Sequence, residues 1–522
     1  MKITKKNPRH ALSYFTLLDT LDTGACPICS LVDRESKNHL HALYYEFVND
    51  AGVRDTLHRS RGFCNWHAWT STEIPCSGTG ISIIYNDLLQ SEIAAMRQIL
   101  SILETPSFPH PPQSRRRRKK DLDLAIRDWK KRDTCLVCAS NARATLFHLR
   151  ELLDFLGEAP FLEKYRASPG LCLPHLKICI ENFRDHPNLS VAVGIALEKA
   201  RYLSWELGEF WRKHDYRFSE EPKGSEIDSW LRAIRWFTGA RELFPNDIVR
   251  ALLPATWEAV PSRCWHVARR FLDKVRAWKI RPSPSPSKKP PPLHPVALDV
   301  IRAMKKEGCP VCRAGDKALA DYFTWLTKQN YDTPSILAEI QEAGGFCRTH
   351  AARLRELAPD YMGTVLLESL ISNALGTLDT FARSLDTASG PGGASRRLAV
   401  SRRILVGNHD CPACRVVRRA ERDAGRQLIA LLAGENETAR DRYKASDGLC
   451  LRHLTPILRE APAKTAGFLA RDMVRRLSPL RKRLRDFLKH ADYREKNARR
   501  AGERAAWREG LMRVSGFPDR EE

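Results

Sequence analysis

Twelve of the fifteen cysteines fall in four copies of one pattern, a Cys-x-x-Cys pair followed at a fixed distance by Gly-[Phe/Leu]-Cys-x-x-His. The copies are Cys26, Cys29, Cys64 and His67; Cys135, Cys138, Cys172 and His175; Cys309, Cys312, Cys347 and His350; and Cys411, Cys414, Cys450 and His453. The second and third cysteines are separated by 34, 33, 34 and 35 residues in the four copies, too even for chance. Three thiolates and one imidazole complete a tetrahedron around Zn2+ and leave no open position, the signature of a structural site. The chain therefore reads as binding about four zinc ions. Each copy is expected to close its own site, so that Cys64 and His67 meet Cys26 and Cys29.

Other chemistry uses the same residue types. An iron–sulfur cluster accepts cysteines with an occasional histidine, and a redox-active pair can be built on Cys-x-x-Cys, although that motif belongs to a βαβ setting and needs neither the third cysteine nor the histidine. A metal-dependent or thiol-redox enzyme is thus the alternative to a scaffold. No P-loop, zinc-protease helix, nucleophile elbow or strand-linked glycine fingerprint is present, which points away from an enzyme and names no catalytic residue. Cys76, Cys179 and Cys264 stand outside the pattern, and Cys179, one turn beyond His175, is the only one close enough in sequence to approach a site.

The elements that must position these ligands read as helices throughout. Leu12, Phe15, Leu18 and Leu21 form an apolar stripe before the first pair; Leu31, Leu40, Leu43 and Phe47 form another after it. A short helix over Val53–Arg59 leads to Gly62. Its equivalents Gly170, Gly345 and Gly448 each stop a helix so that the next can start at the cysteine, placing Cys and His one turn apart on one face. No β-alternation long enough for a sheet is found. The expected fold is all-α, a tandem of duplicated helical units, each with two Cys3His metal-stapled modules.

The duplication is visible beyond the ligands. Lys213-His-Asp-Tyr-Arg217 and Trp230 follow the second copy; Lys489-His-Ala-Asp-Tyr-Arg494 and Trp507 follow the fourth. The expected organisation is unit one over 1–240, with metal modules about 10–104 and 121–240, a helical connector over 241–280, a Pro-rich linker over 281–295, and unit two over 296–522, with modules about 296–388 and 396–522. The linker composition makes it a spacer on which the units are hinged. Residues 105–114 and the six basic residues Arg115–Lys120 read as a second linker, and Ser389–Ser395 as a third. His214 and Asp215 sit where a helix-end cap is expected rather than a proton-transfer pair.

With 86 Lys and Arg against 62 Asp and Glu, the formal charge is +24, which favours nucleic acid or an acidic protein as partner. No segment reaches the ~20 apolar residues of a membrane helix and no signal peptide opens the chain. Paired with cysteines that read as metal ligands rather than disulfides, this places the expected location in the cytoplasm.

These motifs resemble an uncharacterised prokaryotic family of unknown function with repeated CPxC…GFCxxH metal motifs and a KHDYR…W tail. The likeness rests on Cys26–Cys29, Gly62–His67, Lys213–Arg217 and Trp230 in unit one. In unit two it rests on Cys309–Cys312, Gly345–His350, Cys411–Cys414 and Trp507. Ala491 interrupts the second KHDYR, and Cys135-Leu-Val-Cys138 lacks the proline. The resemblance implies architecture and carries no activity.

Overall fold

A computed structural model describes residues 8–104, 112–130, 133–239, 295–357, 360–386, 411–434, 437–490 and 505–516. Among them no residue is in a strand, and the elements are α-helices with a few short turns of other helix types. The first half holds α1 (Pro8–Leu21), α2 (Pro27–Tyr45), α3 (Ala51–Ser60), α4 (Asn65–Thr70), α5 (Gly78–Glu104), α6 (Pro112–Lys130), α7 (Leu136–Phe155), α8 (Ala159–Ala167), α9 (Leu173–Asn182), α10 (Leu189–Arg212) and α11 (Ser229–Thr238). The second holds α12 (Pro295–Ala303), α13 (Pro310–Trp325), α14 (Pro334–Glu342), α15 (Arg348–Leu357), α16 (Asp360–Asp386), α17 (Pro412–Ala433), α18 (Glu437–Ala445), α19 (Leu451–Glu460), α20 (Ala463–Lys489) and α21 (Ala506–Ser515).

The two halves repeat one plan. In each, a long helix follows a Cys-x-x-Cys pair, a short one turns back, a glycine stops it, and a third helix starts at Cys-x-x-His. Gly62, Gly170, Gly345 and Gly448 have φ of 86°, 73°, 91° and 70°, the left-handed region that favours glycine. The stops come in two versions. Gly62 and Gly345 donate their N–H to Leu57 O and Ile340 O, both at 2.8 Å. Gly170 and Gly448 donate instead to Ser168 Oγ and Ser446 Oγ, and the next N–H reaches Tyr165 Oη and Tyr443 Oη at 3.2 and 3.3 Å. The first copy thus pairs with the third, and the second with the fourth.

The basic run does not form a linker. Arg115–Lys120 lie within α6, consistent with proline at its first position and with the good helix propensity of Arg and Lys. Residues 105–111 lie outside the described residues, as do the connector and the Pro-rich spacer over 240–294, the third linker and Cys264.

The halves are not two bodies joined only by a spacer. The 27-residue α5 packs along the 27-residue α20, and α10 packs along α16. α5 buries Ile81, Tyr85, Leu88 and Met96, and α20 buries Met473, Leu477, Leu480 and Leu484, stripes at spacings of three, four or more residues that hide apolar area against each other. The closing helices also cross over: α11 packs on α15 and α16, and α21 on α4 and α5. A pseudo-twofold relation follows, seen at atomic level where Arg348 Nε donates to Thr238 O at 2.8 Å and its counterpart Asn65 Nδ2 donates to Ser515 O at 2.9 Å.

Candidate metal centres

All sixteen predicted residues come together, but in a different grouping from the one the motif order predicts. Site A gathers Cys26, Cys29, Cys172 and His175; site B gathers Cys64, His67, Cys135 and Cys138; site C gathers Cys309, Cys312, Cys450 and His453; site D gathers Cys347, His350, Cys411 and Cys414. In each half the first pair meets the second Cys-x-x-His, and the inner two motifs meet each other. The sites are nested along the chain.

The helix lengths favour this. α2 has 19 residues, about 28 Å, while the return helix α3 has 10, about 15 Å, so α3 ends well short of Cys26 and Cys29 before α4 begins. α7 runs antiparallel to α2: Glu35 Oε1 lies 2.6 Å from His148 Nε2, and the later His39 feels the charge of Cys135 at the start of α7. The second pair therefore arrives where Cys64 and His67 have been left. In the second half, Gly315 on α13 faces Val417 and Glu421, and the later Tyr322 feels the charge of Cys411.

Each site is built from two helix beginnings. Cys26, Cys135, Cys309 and Cys411 are the N-caps of α2, α7, α13 and α17. Cys64, Cys172 and Cys450 cap α4, α9 and α19, and Cys347 directly precedes α15. The unpaired N–H groups and positive dipole ends there favour thiolate over thiol. One of them is seen donating, from His67 N to Cys64 Sγ at 3.5 Å.

Distances within the sites match one tetrahedral ion. Sulfur pairs bridging the two motifs lie 3.7 Å apart at sites A, B and D and 3.9 Å at site C. The histidines turn Nδ1 inward, 3.2 to 3.7 Å from the sulfurs. A tetrahedron with the bond lengths usual for zinc needs about 3.8 Å between sulfurs and about 3.6 Å between sulfur and nitrogen. Two of the outward nitrogens have polar neighbours: His67 Nε2 lies 3.4 Å from the Asn141 amide, the kind of support that orients a ligating imidazole, and His453 Nε2 lies 3.1 Å from Glu421 Oε1, an ion-pair distance without hydrogen-bond geometry. Without a cation the thiols oppose one another. Hydrogen bonding with Cys135 and Cys64 pushes the Cys138 thiol far up, and with Cys347 and Cys411 the Cys414 thiol, a conflict that a divalent ion relieves.

Arg348, a residue the motif reading passed over because it occupies a free position of Cys-x-x-His, lies between two sites. It follows Cys347 of site D yet reaches into the other half, where a Cβ at Gly239 would meet its Nη2 at 2.6 Å, Cys29 Sγ at 3.2 Å and Cys172 Sγ at 3.4 Å. Burial opposes its charge; the thiolates of Cys29, Cys172, Cys26 and Cys347 favour it.

The remaining candidates stay outside. Cys179 is fully buried away from site A, its thiol pushed up to about 12 by burial, and Cys76 is exposed. His214 packs at a tilt against Phe210 with its Nδ1 2.7 Å from Phe210 O and so fastens the end of α10, and Asp215 holds the side chain and N–H of Arg217 in the turn that follows. Asp492 lies outside the described residues. No helix among the described residues is long and apolar enough to cross a membrane.

The fold and its sites define an all-α protein of duplicated units with four Cys3His clusters able to hold a metal ion. Residues 12–243 and 296–519 each match the model of a family of unknown function, DUF6062, and the chain belongs to that family. No curated protein and no solved structure matches it.

Proposed function

We propose that the chain is a structural-zinc scaffold that carries about four Zn2+, ligated by Cys26, Cys29, Cys172 and His175, by Cys64, His67, Cys135 and Cys138, by Cys309, Cys312, Cys450 and His453, and by Cys347, His350, Cys411 and Cys414. The observation that carries this reading is the set of four closed cages with tetrahedral spacing. An iron–sulfur cluster sets several atoms between its thiolates and spreads them farther than these sulfurs lie. A full shell of four protein ligands offers no position to a substrate, which favours a scaffold over an enzyme. Twelve thiols kept reduced as ligands suit a cytoplasmic setting.

The scaffold's partner in this proposal is nucleic acid. On α20 the exposed face carries Arg471, Arg475, Lys482, Arg485 and Lys489, a ridge about 27 Å long, in which Arg471 pairs with Glu104 and Arg475 with Asp472. Helical spacing alone would have revealed it in the sequence. Together with the +24 charge, it offers a line of cations to a phosphate backbone. Fluorescence anisotropy with a labelled duplex tests it. Binding should weaken with salt at a log–log slope of about −4, and Arg475→Gln or Arg485→Gln should each reduce that slope by about one. A salt-independent signal, or slopes unchanged by both substitutions, would contradict a nucleic-acid role.

A further inference from the structure

The two halves have diverged at one equivalent place. Between them, beside site A, lies a cavity of about 420 Å³ lined by Cys26, Cys29, Arg235, Arg348, Ala352 and Arg355, with Thr23, Ser30, Asp33 and Thr238 among the polar groups around it. Its volume is in the range of small-molecule sites. The pseudo-twofold relation carries Arg235, Arg348, Ala352 and Arg355 onto Met512, Asn65, Trp69 and Thr72. At that second position Trp69 Nε1 donates to Gly516 O at 3.1 Å, so an indole lies across the glycine equivalent to Gly239. Ala352 has nothing with which to do the same. One half has covered the site with an aromatic ring, and the other has left it open and placed three arginines around it.

The open cleft sets three arginines against Asp33 and the site A sulfurs of Cys26 and Cys29 beside Arg348. Its single carboxylate, Asp33, is already paired with Lys37 at 2.9 Å. Arg348 is about nine-tenths buried, fixed by its bond to Thr238 O, whereas Arg235 and Arg355 reach toward solvent at the rim. Arginine forks match the paired oxygens of phosphate and carboxylate. A buried cation at the floor with two more exposed cations at the mouth is an arrangement that draws in and orients an anion.

We infer that this cleft binds a small oxyanion carrying two or more negative charges, held by Arg235 and Arg355 above the Arg348 floor. On one wall the Thr23 hydroxyl donates to Thr20 O at 2.8 Å and accepts from the Ser30 hydroxyl 3.1 Å away, so the arginines are the donors the cleft offers. The inference does not depend on what the α20 ridge binds, since the cleft lies between α2, α11 and α15.

Isothermal titration of the full-length, metal-replete chain with pyrophosphate and, separately, with citrate tests it; the two probes distinguish a phosphoryl from a carboxylate ligand. One site per chain is expected for at least one probe. The Arg235→Gln/Arg355→Gln pair should weaken that binding about tenfold or more. Ala352→Trp, which copies the covered half, should abolish it with metal content unchanged, and Arg419→Gln, on an exposed arginine of α17, should leave it intact. If Ala352→Trp fails to fold, the arginine pair alone decides. No binding of either probe at millimolar concentration, or binding that survives the arginine pair, overturns the inference.

Discussion

Replacing Cys172 by Ser separates nested from sequential sites. In the nested arrangement Cys172 serves Cys26 and Cys29, so its loss opens site A and leaves Cys135 and Cys138 held by Cys64 and His67. In a sequential arrangement the same change would release Cys135 and Cys138. The two arrangements also differ in energy. The link from Cys29 to Cys172 closes a loop of sequence separation 143, against 35 for a link from Cys29 to Cys64. With loop entropy growing as 1.5RT ln n, the longer closure is worth about 1.2 kcal/mol more to the folded chain. The assay is alkylation under native conditions, mapped by peptide mass spectrometry, with metal content measured on the same sample. The expected result is three ions per chain, alkylated Cys26 and Cys29, and protected Cys64, Cys135 and Cys138. Alkylation of Cys135 and Cys138 with protection of Cys26 and Cys29 would refute the nested reading.

Gly239→Ala should destabilise the chain by about 1 to 3 kcal/mol, because φ is +76° and the new methyl meets Arg348 Nη2 at 2.6 Å; Gly24→Ala, with φ of +67° and open space around it, supplies the strain-only comparison. Equal denaturant midpoints for the two variants would contradict the contact. Site D should yield its metal first to a chelator, since Cys347 and Cys414 are both partly exposed whereas the cysteines of site A are buried; the order in which peptides become alkylated reports it. The Lys213 ammonium, followed by the Gly224 N–H, holds the Glu226 carboxyl down at about 2. A folded value below the unfolded one stabilises the chain above the ordinary carboxylate range and loses that contribution as pH falls through about 2. Lys213→Met should therefore cost about 1 to 2 kcal/mol at neutral pH after solvent screening, with the gap to the parent closing in acid. A gap that stays constant with pH would count against this ion pair.

The helices and the sixteen Cys and His residues that gather into clusters were legible because each rests on local signals: apolar periodicity, the recurrent glycine, and Cys and His spacing within one turn. Their grouping was not, because Cys-x-x-Cys and Cys-x-x-His are interchangeable partners in sequence. Only the lengths of α2 and α3 and the antiparallel course of α7 decide which pair meets Cys64. The hinge expected at the Pro-rich spacer ignored the contact between α5 and α20, which spans separations that no local pattern records. Arg348 was invisible for the same reason, since its partners, Thr238 and the sulfurs of site A, lie in the other half.

The central claim is four closed single-ion cages. X-ray absorption at the zinc edge, combined with elemental analysis of protein purified without added metal, tests it most directly. The expected result is about four zinc per chain, each with three sulfur neighbours near 2.3 Å and one nitrogen near 2.0 Å. Stoichiometric iron with iron–iron scattering, or zinc with oxygen in its shell at every site, would contradict it.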